Sequence, residues 1–474
     1  MKNIAYQHLF LRAGFGANPA EVQEASKHPI RKIVRRLLED SEQNLSLHTV
    51  DPQQVGYTRR ALLEMVMQRD SLSPEQKKQM SQDIQKEYRD QIGDLNYAWV
   101  SQMGSGKSAL REKMTFFWHG HFACRSQNPN FVQLQNNTIR EKALGKFGDL
   151  LLAISKDPAM LQFLNNQQNR KQSPNENFAR EVMELFTLGR GHYTEQDIKE
   201  AARAFTGWGF NLSGEFTFRK NQHDEASKTF FGKTGNFNGE DILTMILERP
   251  ETATFLVTKL YRFFVNDTPD QAIIAQLAPR FQQKDYDIAW LLEEIFTSDW
   301  FYAPQNIGIK IKSPVEYIAG LQRTFGLKYG NKQSVLYVQK ALDQVLFYPP
   351  NVAGWPGGTS WIDSSSLLLR MKLPEVILNS VELNFKAKAD GDVNTAYLTK
   401  KSGRQFQEAE LDWPAFGKPF EGLTGTALID ALAGYLIQRP LNEVQRALIL
   451  KRKKKSELQD YTLAILTLPE YQLC

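Results

Sequence analysis

Cysteine is nearly absent: Cys124 and Cys474 are the two in 474 residues. Two thiols cannot build a disulfide framework or a cysteine-rich metal site. Long apolar runs are missing too. No stretch reaches eighteen apolar residues, so the sequence offers no membrane-spanning helix. The opening residues, Met1 to His8, hold no signal-peptide core and no twin arginine. The expected compartment for the chain as it stands is therefore the cytoplasm. Charge of one sign is scarce: 58 basic against 53 acidic residues leaves +5, spread along the chain. No nucleic-acid partner is expected on that balance. The compact basic run Lys451–Lys455 reads as a solvated helix face. There is no Walker loop, no dinucleotide fingerprint, no His-Glu-x-x-His and no Gly-x-Ser-x-Gly elbow. Gly104-Ser105-Gly106-Lys107-Ser108 imitates a phosphate loop, but it lacks the upstream glycine and follows a helical pattern, not a strand.

What is present is a globular composition, 42% hydrophobic and 23% charged. The length suffices for a substantial core. Helical periodicity dominates. The expected fold is mainly α: a large multi-helix domain with a small β-hairpin insertion and an ordered Pro/Gly/Trp loop. Residues 1–380 would form the helical body, with the β-insertion at about 209–232. Residues 381–425 read as an irregular connection, and 426–474 as a C-terminal helical segment packed on the same body. Ser73-Pro74, Ser173-Pro174 and Ser313-Pro314, each with Glu or Gln three residues after Ser, predict capping boxes. Thr194 predicts a looser one. From Pro74 to Met103 one long helix is expected, polar in its first half and packed through Leu95, Trp99 and Met103 in its second. Phe210–Leu212 and Glu215–Phe218 predict a hairpin about Ser213-Gly214, with Thr229–Phe231 as a third strand. Pro349 to Gly358 cannot be regular helix and reads as a fixed loop over the body.

Several segments together resemble a known family. They are His8-Leu9-Phe10-Leu11-Arg12-Ala13-Gly14-Phe15-Gly16, Phe116 to Phe122, and Asn175 to Glu181 running on to Glu184–Gly189. Ala204–Trp208, His223-Asp224, Lys312–Glu316 and Pro349–Gly358 follow in order. The chain resembles the bacterial family called domain of unknown function 1800. That resemblance implies a frequent neighbour, the sulfatase-like and often exported family called domain of unknown function 1501, as a partner. Where the family usually shows Gly after His-Asp-x, this chain has Ala226, which bears on the backbone of that turn.

Three elements could carry chemistry. His119 and His121 can grip one metal if Gly120 breaks the helix between them. On a continuing helix they point roughly 200° apart and cannot. They then become, respectively, a helix-end cation and a member of the aromatic cluster with Phe117 and Trp118. Asn177, Arg180, Glu181 and Glu184 form one polar stripe on an otherwise apolar helix, either an internal ion network or part of a site. Glu176 reads as a cap. His223-Asp224 lies in a loop with Lys228 and Lys233 nearby, either a solvated loop or a functional one.

Joined in one site, they would bind one divalent transition metal of unknown identity through His119, His121 and Glu184. Glu181, Glu184, Arg180, His223 and Asp224 would act as the catalytic groups, with Arg180 steadying an anionic group and the Trp355 loop excluding water. The expectation is a metal-dependent enzyme, hydrolytic slightly ahead of oxidative. The alternative is a non-catalytic partner in assembly or export of the sulfatase-like neighbour, with co-export on a signal-bearing partner.

Overall fold

In a computed structural model, which describes residues 2–51, 73–379, 411–452 and 456–474, the helical periodicity becomes 21 α-helices. The first eight are α1 Lys2–Ala13, α2 Pro19–Ala25, α3 Ile30–Asp40, α4 Pro74–Ser105, α5 Ala109–His121, α6 Pro129–Lys142, α7 Phe147–Ser155 and α8 Pro158–Phe163. The middle run is α9 Asn177–Glu181, α10 Glu195–Ala204, α11 Gly239–Leu247, α12 Pro250–Phe264, α13 Gln271–Gln283 and α14 Ile288–Thr297. The last run is α15 Pro314–Phe325, α16 Lys332–Ala341, α17 Ser364–Asn379, α18 Trp413–Gly417, α19 Gly425–Leu436, α20 Glu443–Leu450 and α21 Glu457–Leu466. No described helix is long and apolar enough to cross a membrane.

Local chemistry sets most of these starts. Ser73, Thr194 and Ser313 each close a reciprocal capping box with the residue three further on. Ser173 does not. Its amide instead donates to the Arg170 carbonyl at 2.9 Å, and the Asn175 amide is held by Asn169 Oδ1 at 2.8 Å. Those bonds keep 173–175 out of the helix; Glu176 stands at the N-cap of α9, but its side chain caps no amide and pairs with Arg180. The β-insertion is two hairpins, not one three-stranded sheet. β1 Trp208–Phe210 pairs with β2 Phe216–Phe218, and β3 Lys228–Phe230 with β4 Lys233–Gly235. Phe231 (φ +48°) and Gly232 (φ +75°) form a two-residue turn with both φ positive, which returns the chain on β3 itself. Most of the predicted connection, residues 381–410, and Lys453–Lys455 of the basic run lie outside the described residues.

Apolar residues gather in two cores. One joins α1, α5–α8 and α9 to α14; the other joins the second half of α4 to α15–α17 and the C-terminal helices. Leu95, Trp99 and Met103 are fully buried in the second, while the first half of α4 is largely exposed. The C-terminus is built into this body: Lys310 and Lys312 pair by backbone with Cys474 and Gln472.

Between the cores runs α5. Every residue except Gly120 is buried, including Arg111, Glu112, Lys113, His119 and His121. Buried charges must pair. Arg111 donates to the carbonyls of Ser41 (2.6 Å), Arg140 (2.6 Å) and Glu141 (2.9 Å). Glu112 accepts from Arg140 Nε (2.8 Å) and Nη2 (3.2 Å), Trp99 Nε1 (2.7 Å) and Gln102 Nε2 (2.7 Å). Lys113 is ion-paired with Glu316.

Breaking one half of the Glu112–Arg140 pair strands the other in the interior. Glu112→Gln is expected to cost about 3–5 kcal/mol in urea unfolding. The double variant Glu112→Leu/Arg140→Met should recover much of that loss. A single-variant cost under about 1 kcal/mol would mean the pair is solvated, as exposed pairs are.

Candidate functional site

The helix decides what the two histidines can do. α5 runs unbroken through Gly120 to His121, and the Phe122 amide still bonds back to the Trp118 carbonyl. Two helical steps turn the chain by roughly 200°. The rings leave opposite sides and do not converge. His119 packs among Trp99, Phe347 and Trp355, with ring centroids 5.2, 5.3 and 5.6 Å away. Its Nε2 accepts the Phe347 amide at 3.2 Å, and burial pushes its pKa down to about 3. The ring is therefore neutral, with its proton on Nδ1. Phe347 has φ +70°, costly for an aromatic residue. Two side chains hold it there: Gln339 takes the Leu346 amide at 2.9 Å and His119 takes the next one.

His121 faces the acidic helix. Its Nε2 lies 3.0 Å from the Phe186 carbonyl, which only accepts, so Nε2 carries the proton. Nδ1 is then an acceptor, and Lys259 Nζ sits 3.3 Å from it. Lys259 also donates to the Leu185 carbonyl at 3.2 Å and lies 4.8 Å above the Phe255 ring. Burial, then Arg262, pushes its pKa down to about 8. Burial first and Lys259 second hold His121 well below the ordinary imidazole range. The carbonyls of Leu185 and Phe186 are available because α9 loosens at Val182–Thr187 into a π-helix, with Leu188 bonding back five residues to Met183 at 2.8 Å.

The charged stripe of α9 turns outward, away from His121. Arg180 pairs with Glu195 at 2.9 and 2.8 Å and with Glu176 at 3.3 Å. Glu184 accepts from Arg190 at 2.5 Å and Tyr193 at 2.9 Å. Its pKa is lowered, chiefly by Arg190. Glu181 is half-buried, and burial, then the charge of Glu184, raises its pKa.

His223 and Asp224 sit elsewhere again. His223 Nδ1 is 2.9 Å from the Thr206 carbonyl, and Asp224 accepts from Arg203 Nε at 2.7 Å. Burial opposes the Asp224 charge, but Arg203 and the Ala226 amide outweigh it and hold the carboxyl below its ordinary range. Lys228 caps the carbonyls of Asp224 (2.5 Å) and Ala226 (3.1 Å). Ala226 donates to Asp224 Oδ1 at 2.9 Å and has no positive φ, so the turn needs no glycine. Arg203 lies eight residues along α10 from Glu195, about 12 Å at 1.5 Å per residue. The loop and the Arg180 stripe thus occupy opposite ends of that helix.

The 349–358 loop is clamped onto the end of α5. Gly354 (φ +80°) approaches so closely that a Cβ there would lie 2.4 Å from the Gly120 carbonyl. Among the described residues, no three His, Cys, Asp or Glu side chains are grouped to hold a metal ion. Sequence reasoning passed over Lys259, which sits in an ordinary amphipathic helix with no local signal. Its partner carbonyls become available through the π-helix, which no spacing rule announced.

A family model described as "Protein of unknown function (DUF1800)" matches residues 8–473, and the chain belongs to that family. No curated protein and no solved structure matches it. The family match runs through the C-terminal hundred residues, where the sequence showed no motif.

His119 has a pH consequence. Above pH 6.5 the His119 ring is uncharged in both the folded and the unfolded chain. Below 6.5 the unfolded ring takes a proton, while the folded ring stays neutral down to about pH 3. His119 therefore subtracts stability as pH falls through that window, at about 1.4 kcal/mol per pH unit. His119→Gln should make the slope of unfolding free energy against pH shallower by about one proton between pH 6 and 4.5. An unchanged slope would show that the folded ring titrates.

Proposed function

We propose that this protein is a non-catalytic partner of another protein, serving its assembly or export, and not a metal-dependent hydrolase or oxidase. The observation that carries this reading is that His119, His121 and Glu184 are each closed into a separate pair. His119 is spent on the Phe347 amide, His121 on the Phe186 carbonyl and Lys259, and Glu184 on Arg190 and Tyr193. Bringing both rings to one ion would require the last turn of α5 to unwind, with the loss of the Phe347 and Phe186 contacts. The Trp355 loop, locked on Gly120, is suited to bracing α5 and not to opening over a substrate. The partner we infer is a sulfatase-like protein of the domain of unknown function 1501 family, with which the chain would be co-exported.

A second reading, enzymatic, is favoured by one contact set. The Lys259 amine has its hydrogens directed at His121 Nδ1 and the Leu185 carbonyl. An amine half deprotonated near pH 8 is suited to add to a carbonyl carbon, releasing water as an imine forms. Treatment with a small aldehyde and borohydride would then label Lys259 ahead of exposed lysines; the opposite order removes this reading.

For the first reading, metal content is measured in the purified native chain and in His119→Ala/His121→Ala. Equal and negligible metal is expected in both. A stoichiometric metal lost from the double variant would sink it. Co-expression with a member of the partner family should give a complex that survives gel filtration.

A further inference from the structure

Two sequence features play no part in the role proposed above: the opening motif His8–Gly16 and the segment Gly104–Ser108, which imitates a phosphate loop. Residues of both line one open cleft of about 350 Å³. The apolar part of its lining is Phe10, Ala17, Ala25, Ile33 and Leu37, from α1 to α3. Gly14 lets the end of α1 pass the start of α5, since a Cβ there would lie 3.2 Å from the Ala109 Cβ.

The segment Gly104–Ser108 is fixed from two sides. Ser108, at the N-cap of α5, donates to the carbonyls of Asp40 (3.0 Å) and Gln43 (2.9 Å). Arg323 of α15 donates Nε to the Met103 carbonyl at 2.9 Å and Nη2 to the Gly106 carbonyl. Its remaining nitrogen, Nη1, makes no hydrogen bond among the described residues, and bonds to carbonyls leave the guanidinium charge in place. Lys107, next after Gly106, is exposed and has no ion pair among the described residues. Arg323 and Lys107 are thus joined at Gly106, and both line the cleft. The N-terminus of α5, which reaches the cleft at Ala109, adds partial positive charge.

The lining is not that of a plain anion site. Arg36, Lys107 and Arg323 are matched in number by Glu21, Glu24 and Asp40. Glu24 is taken by Lys27 at 2.6 Å, and Asp40 faces Arg36 at 3.7 Å. Glu21 accepts the Asn18 amide at Oε2 (2.9 Å), and its Oε1 has no hydrogen bond among the described residues. What is left over is a cationic pair and one carboxylate oxygen. A doubly charged phosphate would be repelled by these acids. A ligand with one charge of each sign and none overall would meet a partner for both.

We propose that this cleft binds a small zwitterion with an apolar side chain, an α-amino acid or a dipeptide. Arg323 and Lys107 hold its carboxylate, Glu21 holds its ammonium, and the apolar lining takes its side chain. The cleft volume suits a ligand of that size. This is a small-molecule site, independent of the partner role.

The test is equilibrium dialysis of the full chain at neutral pH and fixed ionic strength. The labelled probes are leucine, leucyl-leucine, leucinamide, N-acetyl-leucine and inorganic phosphate. Leucine or its dipeptide should bind saturably, and the tighter of the two identifies the source. Leucinamide lacks the carboxylate and N-acetyl-leucine the ammonium, so each should bind about tenfold more weakly or worse. Lys107→Glu should weaken the zwitterion by about tenfold as well. No saturable binding of either zwitterion, undiminished binding of the amide or the acetyl compound, tighter binding of phosphate, or unchanged binding in Lys107→Glu would overturn the proposal. The probe series needs no variant, so it decides even if Lys107→Glu does not fold.

Discussion

The complete burial of α5 is the constraint on which the rest of this structure turns. A helix with Arg111, Glu112, Lys113, His119 and His121 would ordinarily turn a polar face to water. Here water is excluded on all sides, so each of those groups must find its partner in another segment. Arg111 takes carbonyls of Ser41 and of the end of α6, and Glu112 takes Arg140 and Trp99. Lys113 takes Glu316, His119 the amide before Tyr348, and His121 the π-helical turn. One thirteen-residue helix thereby fixes segments from six parts of the chain. Hydrophobic contact alone is non-directional and would not fix their registers; the polar bonds do.

That constraint explains the irregular elements better than local propensity does. The α-to-π change in 182–187 costs regular hydrogen bonds, and it is stabilised because the carbonyls of Leu185 and Phe186 receive Lys259 and His121. The positive φ of Phe347 is held by Gln339 and His119 acting on successive amides. Gly354 is needed where it is because the loop passes against the Gly120 carbonyl. These three departures from regular backbone all lie against the C-terminal end of α5.

This is also where the sequence stopped being legible. Helix class, the split character of α4 and the boxes at Ser73, Thr194 and Ser313 rest on contacts within a few residues, which spacing records directly. The β3–β4 hairpin was misassigned because Phe231-Gly232 is not a usual turn pair, although both residues take positive φ. The box at Ser173 failed because Asn169, four residues earlier, captured the Asn175 amide. The candidate site suffered most. A helix break at Gly120 is one of two readings the sequence leaves open for His119-Gly120-His121; α5 continues, and a Cβ at Gly120 would meet nothing within 4 Å, so no packing contact explains the glycine. The apolar flanks of α9 leave its stripe open between an internal ion network and a site; the stripe pairs with the exposed Glu195 and Arg190 and the half-buried Tyr193.

The two ends of α5 meet different electrostatic demands. At the His121 end the polar groups are an imidazole held far below its usual range, an amine pushed down to about 8, and backbone carbonyls. Hydrogen bonds to carbonyls and to an imidazole nitrogen close that region. At the Lys113 end, eight residues or about 12 Å away, the groups include two guanidiniums that cannot lose their charge. Hydrogen bonds to carbonyls leave that charge in place. The histidines attract the eye in the sequence, but the costlier burial is that of Arg12 and Arg370, whose guanidiniums keep donors unmet among the described residues.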